Sequence, residues 1–188
     1  VGYLIGIFLR KKISVLNPLL VSIIFVIAVI KIFHIDYETY NSGAKYISYL
    51  LTPATVCLAI PLYRQISVLK EHAKEVFIGI LAGVLASMGS ILLMSYLFGL
   101  THEQYVTLLP KSITTAIGMG VSEELGGIQT ITVAVIIITG VLGNIIAEAV
   151  LKIFRIKEPV AKGLAIGTAS HAIGTTKALE IGEIEGAM

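Results

Sequence analysis

The chain has 188 residues, of which 56% are hydrophobic and only 14% are charged, and its mean hydropathy is +0.91. This composition excludes an ordinary soluble domain and indicates an integral membrane protein surrounded by a lipid bilayer. A net charge of +2 does not suggest a nucleic-acid partner, and a single cysteine, Cys57, excludes a disulfide framework.

Four uncharged runs predict helices that cross the membrane. Residues 76–100 give 25 consecutive positions without a charge, residues 128–147 give 20, and residues 13–30 and 46–63 give 18 each. A helix needs about 20 apolar residues to cross a hydrocarbon core of about 30 Å. Residues 1–9 are apolar but too short to cross alone, and because the chain begins with valine we expect a clipped first helix there.

The positive charges predict which loops lie in the cytoplasm. Short loops rich in lysine and arginine tend to stay on that side. Three such groups occur along the chain: Arg10, Lys11 and Lys12; Arg64, Lys70 and Lys74; and Lys152, Arg155, Lys157 and Lys162. The loops at 34–45 and 100–107 carry few cations and are predicted to be external.

This orientation restricts what residues 108–122 can do. If 13–33, 46–63 and 76–99 cross in turn, a full crossing by 108–122 would place the cations after residue 151 outside the cell. We therefore expect 108–122 to dip into the membrane and return, or to form a half-helix. Just before it, Thr101-His-Glu-Gln104 fits a capping box for a short helix that ends near Pro110.

Two stretches rich in glycine and hydroxyl side chains interrupt the apolar chain, at residues 110–127 and 163–176. Irregular backbone at membrane depth survives only where protein buries it or where it lines a wet cavity, because lipid cannot hydrogen-bond to it. Broken helices of this kind hold polar solutes in transporters. A membrane chain with two such stretches is expected to move a solute.

A weak internal repeat supports this prediction. Sliding the chain by 57 positions aligns 51–98 with 108–155, pairing Pro53 with Pro110 and Gly83-Val-Leu with Gly140-Val-Leu. By the charge pattern, the two halves run in opposite directions, which favours an inverted repeat. The predicted fold is an all-α integral membrane protein, a polytopic helical bundle with two broken or re-entrant segments, forming a single transmembrane domain over residues 1–188.

Four segments together form a specific pattern: 17–20, 37–63, 110–127, and 167–175 with 185–188. They include Leu51-Thr-Pro-Ala-Thr-Val-Cys-Leu-Ala-Ile-Pro-Leu-Tyr63, Ser122-Glu-Glu-Leu-Gly-Gly127 and Gly167-Thr-Ala-Ser-His-Ala-Ile-Gly-Thr175. In these segments the chain resembles the LrgB/CidB family of bacterial membrane proteins, whose relative in plant plastids is a glycolate/glycerate transporter.

The sequence also departs from the family's usual pattern. The family usually has proline where this chain has Ala116 and Gln129, so we expect softer breaks there. The family also continues past Gly186-Ala-Met188 into one more apolar span. With the valine at position 1, this leads us to expect a chain that is incomplete at both ends.

The resemblance implies a secondary transporter of small organic anions, short monocarboxylates such as glycolate, glycerate or pyruvate. An alternative from the same family is a holin/antiholin-like component that regulates murein hydrolase activity and cell lysis, with a smaller LrgA/CidA-like membrane partner. Either way we expect a multi-pass protein of the bacterial inner (plasma) membrane that forms homo-oligomers. We expect no enzyme activity, no cofactor and no metal.

Lys111, Ser112, Thr114 and Thr115 are candidate substrate-binding residues. Hydroxyls, an ammonium and the free N–H groups at a helix start can together bind a carboxylate. The alternative is that Lys111 snorkels to the membrane interface while the hydroxyls bond back to their own helix.

The second group of substrate-binding candidates is expected to form the opposite wall of the same cavity: Ser170, His171, Gly174, Thr175 and Thr176. Gly167 and Gly174 are expected to adopt backbone angles that other residues resist, and a helix starting after Thr176 would aim its N–H groups at a carboxylate. His171 is a candidate for substrate contact or for a proton relay, because imidazole changes charge near neutral pH. The alternative is a neutral, hydrogen-bonded core histidine.

Glu123 and Glu124 are, with His171, candidates for coupling or gating. Adjacent residues of a helix point about 100° apart, so these two carboxylates cannot form a matched acid pair on one face. The alternative is that they are solvated loop charges.

Overall fold

The computed structural model describes residues 1–12 and 17–188, apart from the side chains of residues 48, 51, 52 and 55. Within those ranges the chain is helical and contains no strand, which confirms the all-α prediction. The helices are α1 (Gly2–Lys12), α2 (Pro18–Ile32), α3 (Tyr37–Ser48), α4 (Leu51–Cys57), α5 (Ala59–Arg64), α6 (Ile66–Glu71), α7 (Ala73–Phe98), α8 (His102–Leu108), α9 (Thr115–Glu124), α10 (Gln129–Ile153), α11 (Pro159–Ile181) and α12 (Glu183–Ala187).

The described chain divides into two compact units, Val1–Ile60 and Pro61–Met188. In the first unit, α1 packs against α2 through two glycines. A Cβ on Gly6 would lie 2.7 Å from the backbone of Pro18, and one on Gly2 would lie 2.9 Å from the ring of Phe25. Glycine therefore lets the two helices approach closely. Residues 1–9, expected to be a clipped helix, form most of α1.

The predicted span at 46–63 is broken in the structure. Helix α4 ends at Cys57 and α5 begins at Ala59. Pro61 lacks the N–H that would bond to the Cys57 carbonyl one turn earlier, so the helix cannot continue unbroken at this point. The predicted span at 13–33 corresponds to the 15-residue α2, and residues 13–16 lie outside the described residues.

Two helices of the described chain are long and apolar enough to cross a membrane, α7 and α10. They match the two longest uncharged runs of the sequence. In α7 only Ile91 and Ser95 are buried, so most of its apolar surface is open to lipid or to another protein. The remaining predicted crossings stay predictions.

A buried network of hydroxyls joins α8, α9 and the start of α10. Ser122 and Thr132 share a 2.7 Å hydrogen bond and are completely buried. The Thr132 hydroxyl also donates to the Thr107 carbonyl at 2.9 Å, and the Ile128 N–H donates to the Thr107 hydroxyl at 2.8 Å. The predicted capping box before α8 is confirmed, since Thr101 and Gln104 bond to each other's backbone N–H.

The packing sets the directions of the long helices. The first part of α11 starts beyond the end of α10 and reaches back to Gly143, so it runs antiparallel to α10. Gly79 and Gly83 of α7 lie against Leu164 and Thr168 in that same order, so α7 runs parallel to this part of α11. Consequently α7 and α10 run in opposite directions.

The internal repeat remains a prediction. Pro53 lies inside α4, whereas Pro110 lies in the turn after α8, so the two matched prolines have different local structures.

Candidate functional site

Both polar stretches of the sequence form turns beside the middle of a long apolar helix. The first turn, residues 109–114, connects α8 to α9 and contacts Ser87, near the middle of α7. The second turn lies inside α11, at Ser170 and His171, and contacts Gly140 and Gly143, near the middle of α10. The short helices around these turns measure about 10 to 17 Å at 1.5 Å per residue, roughly half the thickness of a hydrocarbon core.

In the first turn, Lys111 is held by two hydroxyls. Its ammonium donates to Ser112 Oγ at 2.9 Å and to Ser87 Oγ at 3.4 Å, and the two serine oxygens are 3.5 Å apart. Lys111 and Ser112 are partly buried. The structure therefore directs the ammonium at least partly toward α7 and adds Ser87 to the predicted group.

Thr114 and Thr115 start α9. Thr114 is the N-cap residue, with extended backbone, and its side chain makes no capping hydrogen bond. The N–H groups of the first helical turn therefore have no side-chain cap, and α9 runs on without interruption through Ala116. Water or an anion can bind the free N–H groups of such a helix start.

The second turn reverses the chain. Ser170 and His171 have non-helical backbone angles, and His171 has φ 44° and ψ −145°. These residues separate a first arm of α11 (residues 159–169) from a second arm (residues 172–181). The two arms pack side by side, because Gly174 of the second arm lies against the Ile166 carbonyl of the first. In a straight helix, residues eight positions apart would be about 12 Å apart along the axis. Helix α12, which follows the second arm, packs on the first arm too, with the Glu185 backbone against Gly163.

Three glycines make room for this reversal. A Cβ on Gly143 would overlap Ser170 Oγ, and one on Gly140 would lie 2.9 Å from His171 Nε2. A Cβ on Gly174 would lie 2.7 Å from both the Ile166 carbonyl oxygen and Ser170 Cβ. Separations this short are not found for real side chains, so the turn can press against α10 only where these positions are glycine.

His171 uses one ring nitrogen to attach the turn to α10. Its Nε2 donates to the Ile136 carbonyl at 3.2 Å. That carbonyl lies one helical turn before Gly140, and the missing side chain at Gly140 lets the imidazole reach it. The same residue, Ile136, is fully buried and its side chain lies against Gly118 in α9. One turn of α10 therefore contacts the elements that carry both polar turns.

Two details of the predicted second turn were wrong. Gly167 and Gly174 do not carry the unusual backbone angles; His171 does. Gly174 serves instead for close packing between the two arms. The second arm also begins directly after His171 and not after Thr176, five residues earlier than predicted, because the chain reverses at Ser170 and His171.

The threonines of the second arm bond mainly within it. Thr175 donates to the His171 carbonyl at 3.2 Å, and Thr176 donates to the Ile173 carbonyl at 2.7 Å. Asn144 of α10 donates to the Ile173 carbonyl at 3.0 Å and to the Thr176 hydroxyl at 3.4 Å. Asn144 thus joins the second arm to α10 close to the turn.

Glu123 and Glu124 lie at the far end of α9 from the first turn, and both are exposed. The structure does not bring them to either polar turn. Their exposure agrees with the solvated alternative, and a coupling or gating role remains a prediction.

Comparison with known proteins gives the family. The profile described as "LrgB-like family" matches residues 1–188. The chain belongs to the LrgB-like family. It is 39% identical over 181 residues to YxaC of Bacillus subtilis (strain 168), covering 96% of this chain and 79% of that protein.

Two further LrgB-like relatives have names that state a role. "Holin-like protein CidB" of Staphylococcus aureus (strain Mu50) is 43% identical over 166 residues, with 88% of this chain and 72% of the relative covered. "Antiholin-like protein LrgB" of Bacillus mycoides (strain KBAB4) is 38% identical over 178 residues, with 95% of this chain and 77% of the relative covered. No solved structure matches this LrgB-like chain.

The sequence of this LrgB-like chain did not predict several residues of the site. Ser87 lies within an uncharged run, and Gly140 and Gly143 lie in another. The three-residue interval between the two glycines places both on one side of α10, and the spacing from Gly83 to Ser87 is typical of close helix contacts. Neither signal identifies the partner, because the partners are 25 residues or more away in sequence.

The backbone of His171 generates a stability prediction. Its φ and ψ lie near a region that glycine populates almost exclusively, which costs about 1–3 kcal/mol for any other residue. We expect His171→Gly to be more stable than His171→Ala by about 1–3 kcal/mol, because only glycine relieves this strain. Thermal unfolding of the purified variants in detergent measures the difference.

Ala165→Gly provides the matched control, because Ala165 is exposed in the regular first arm of α11. There glycine should be less stable than alanine by about 0.5–1 kcal/mol. If His171→Gly proves less stable than His171→Ala, the backbone at this position is not strained.

Proposed function

We propose that this protein is a holin-like or antiholin-like component of a bacterial plasma membrane, regulating murein hydrolase activity and cell lysis. The names of its relatives CidB and LrgB support this role. The two apolar helices α7 and α10, long enough to cross a bilayer, fit a membrane location. A smaller LrgA/CidA-like membrane protein is the proposed partner, and the exposed apolar surface of α7 is available to contact it or a second copy.

Deletion of the gene tests this role. In a holin-like role the deletion should reduce extracellular murein hydrolase activity and stationary-phase lysis, and in an antiholin-like role it should raise both. Zymography and release of a cytoplasmic enzyme measure the two effects. Expression of the parent gene should reverse them, whereas an unrelated membrane protein of similar size should not. Unchanged hydrolase activity and lysis in the deletion strain would refute the proposal.

A specific pair of contacts favours a second function, transport of small organic anions. Lys111, Ser112 and Ser87 form a cationic, hydroxyl-rich group against the middle of the apolar helix α7. Keeping such groups at membrane depth is costly unless they have a partner. In this function a short monocarboxylate binds the Lys111 ammonium, the Ser112 hydroxyl and the N–H groups that start α9.

The second turn forms the opposite side of this anion site in the proposal. His171 would contribute its side chain there, whereas Ser170 is buried with its hydroxyl against Gly143 of α10 and is not available to a solute in this conformation. Thr168 packs on Gly83 of α7 nearby. Because Nε2 of His171 is engaged by α10, the proposed contact to the solute falls to the rest of the imidazole. The energy source would be an ion gradient or exchange of solutes, since the sequence has no phosphate-binding glycine motif of the nucleotide-driven kind.

In the proposed transporter, both turns enter the membrane from a surface and return to it. Under this hypothesis residues 102–124 leave from and return to one face, and α11 with α12 does so at the other. A single cysteine at Glu103 and another at Glu124 should then react with a membrane-impermeant thiol reagent from the same side, in a Cys57→Ser background. Reaction from opposite sides would exclude the re-entrant arrangement for this segment.

Uptake into liposomes containing the purified protein tests the transport function. Labelled glycolate, glycerate and pyruvate should enter with saturable kinetics, and Ser112→Ala should raise KM about tenfold or more because it removes a hydrogen bond to a charged solute, worth about 1.5–3 kcal/mol. Unselective leakage that does not saturate would indicate a hole and not a carrier.

Ser90→Ala is the matched control for this experiment. Ser90 is exposed on α7, one turn from Ser87, and its hydroxyl bonds to the Ser87 carbonyl of the same helix at 2.8 Å. Its removal should leave KM unchanged. If Ser112→Ala and Ser90→Ala behave alike, the first turn does not bind the solute.

A further inference from the structure

A second polar feature lies away from both turns, at the junction of α10 and α11. A cavity of about 580 Å³ opens there. Four cations line it. Lys152 lies at the end of α10, Arg155 and Lys157 lie in the loop between the helices, and Lys162 lies in the first turns of α11. Three apolar side chains line it as well: Leu151, Ile156 and Ile181.

Both acidic residues that line the cavity are already engaged by a lysine. Glu148 and Glu180, which also line the cavity, both bind Lys177, at 2.6 and 3.2 Å. Lys162 binds Glu185 at 3.4 Å. Among the described residues, Lys152, Arg155 and Lys157 belong to none of these salt bridges. The cavity therefore presents an excess of positive charge next to an apolar wall.

Arg155 occupies a position that usually belongs to glycine. It follows the end of α10 with φ 54°, and the helix ends in two reverse hydrogen bonds, from the Arg155 N–H to Lys152 at 3.2 Å and from the Ile156 N–H to Leu151 at 2.9 Å. Glycine is favoured at such helix ends because a side chain resists positive φ. From this helix end Arg155 lines the cavity.

The cavity lies where a spanning helix would leave the bilayer. Helix α10 ends at Ile153, and the charge pattern predicts that this end faces the cytoplasm. Lipid headgroups occupy this depth, and basic pockets between membrane helices on this side bind anionic headgroups. A guanidinium matches the geometry of a phosphate with paired hydrogen bonds.

We propose that this cavity binds an anionic membrane lipid by its phosphate. Arg155, Lys152 and Lys157 hold the phosphate, while Leu151, Ile156 and Ile181 contact the glycerol and the first methylene groups. Bound here, the lipid joins the end of α10 to the first and second arms of α11, the helix that carries the second turn. This lipid-binding proposal does not depend on either of the two proposed functions.

Stabilisation by lipid tests the site in the purified, delipidated protein in detergent. Dioleoyl-phosphatidylglycerol should raise the unfolding temperature in a saturable manner, whereas dioleoyl-phosphatidylcholine and inorganic phosphate should not. The apparent Kd for phosphatidylglycerol should rise about fivefold in Arg155→Gly and about a hundredfold when Lys152→Ala and Lys157→Ala are added. Arg155→Gly suits the test because glycine is favoured at this backbone position, so the fold should persist.

Three cations from the end of α5 to the start of α7 provide the matched control. Arg64, Lys70 and Lys74 are exposed, lie on the same predicted membrane face, and do not line the cavity. Replacing all three with alanine should leave the Kd within about twofold of the parent's. An equal loss in this control would mean that surface charge alone attracts the lipid, which overturns the site. Equal stabilisation by inorganic phosphate would overturn the lipid assignment, and undiminished phosphatidylglycerol binding in the triple cavity variant would overturn the proposal.

Discussion

The close approach of the α11 turn to α10 determines the arrangement around it. Gly140 and Gly143 leave a gap in the surface of α10, and Ser170 and His171 fill it. Without that gap, the His171 imidazole could not reach the Ile136 carbonyl, and the turn could not pack against α10 as it does. The position of the second arm, the contacts of Asn144 with it and the packing of Gly174 on Ile166 all depend on this reversal.

If the two polar turns lie at membrane depth, as the transport proposal has them, they solve the same physical problem in different ways. Backbone that leaves a helix inside a membrane must find hydrogen bonds within the protein. The second turn does so with a strained histidine pressed against a helix backbone. The first turn uses side chains: Lys111, Ser112 and Ser87 bond to one another, while Thr114 leaves the start of α9 without a side-chain cap. The first turn therefore leaves N–H groups that a ligand could bind. The second turn is held tightly against α10 by packing and by the His171 hydrogen bond.

The sequence predicted the classes of element better than their contacts. Runs without charge identify α7 and α10, and the Thr101–Gln104 capping box identifies α8, because length and capping are local properties. Glycine and hydroxyl residues marked both turns. The sequence placed the unusual angle on Gly174 and not on His171, because propensity assigns such angles to glycine, whereas here tertiary contacts with α10 hold a histidine in them. Ser87 and Gly143 were missed because their roles depend on partners distant in sequence.

The proposed lysis regulator and the proposed carrier would differ in how the layer of side chains between the two turns opens. In the proposed arrangement each turn is approached from one membrane face, so water reaches the middle from either side but is stopped between the turns. Ile136 lies in that layer: it is fully buried, its side chain packs on Gly118, and its carbonyl holds His171. If the layer opens to both faces together, the protein behaves as a hole. If the two turns open alternately around it, the protein carries a solute. Ile136 is one of several residues by which α10 contacts both elements, with Thr132 on the α9 side and Gly140, Gly143 and Asn144 on the α11 side, so in either proposed function the two turns would have to move relative to a shared helix.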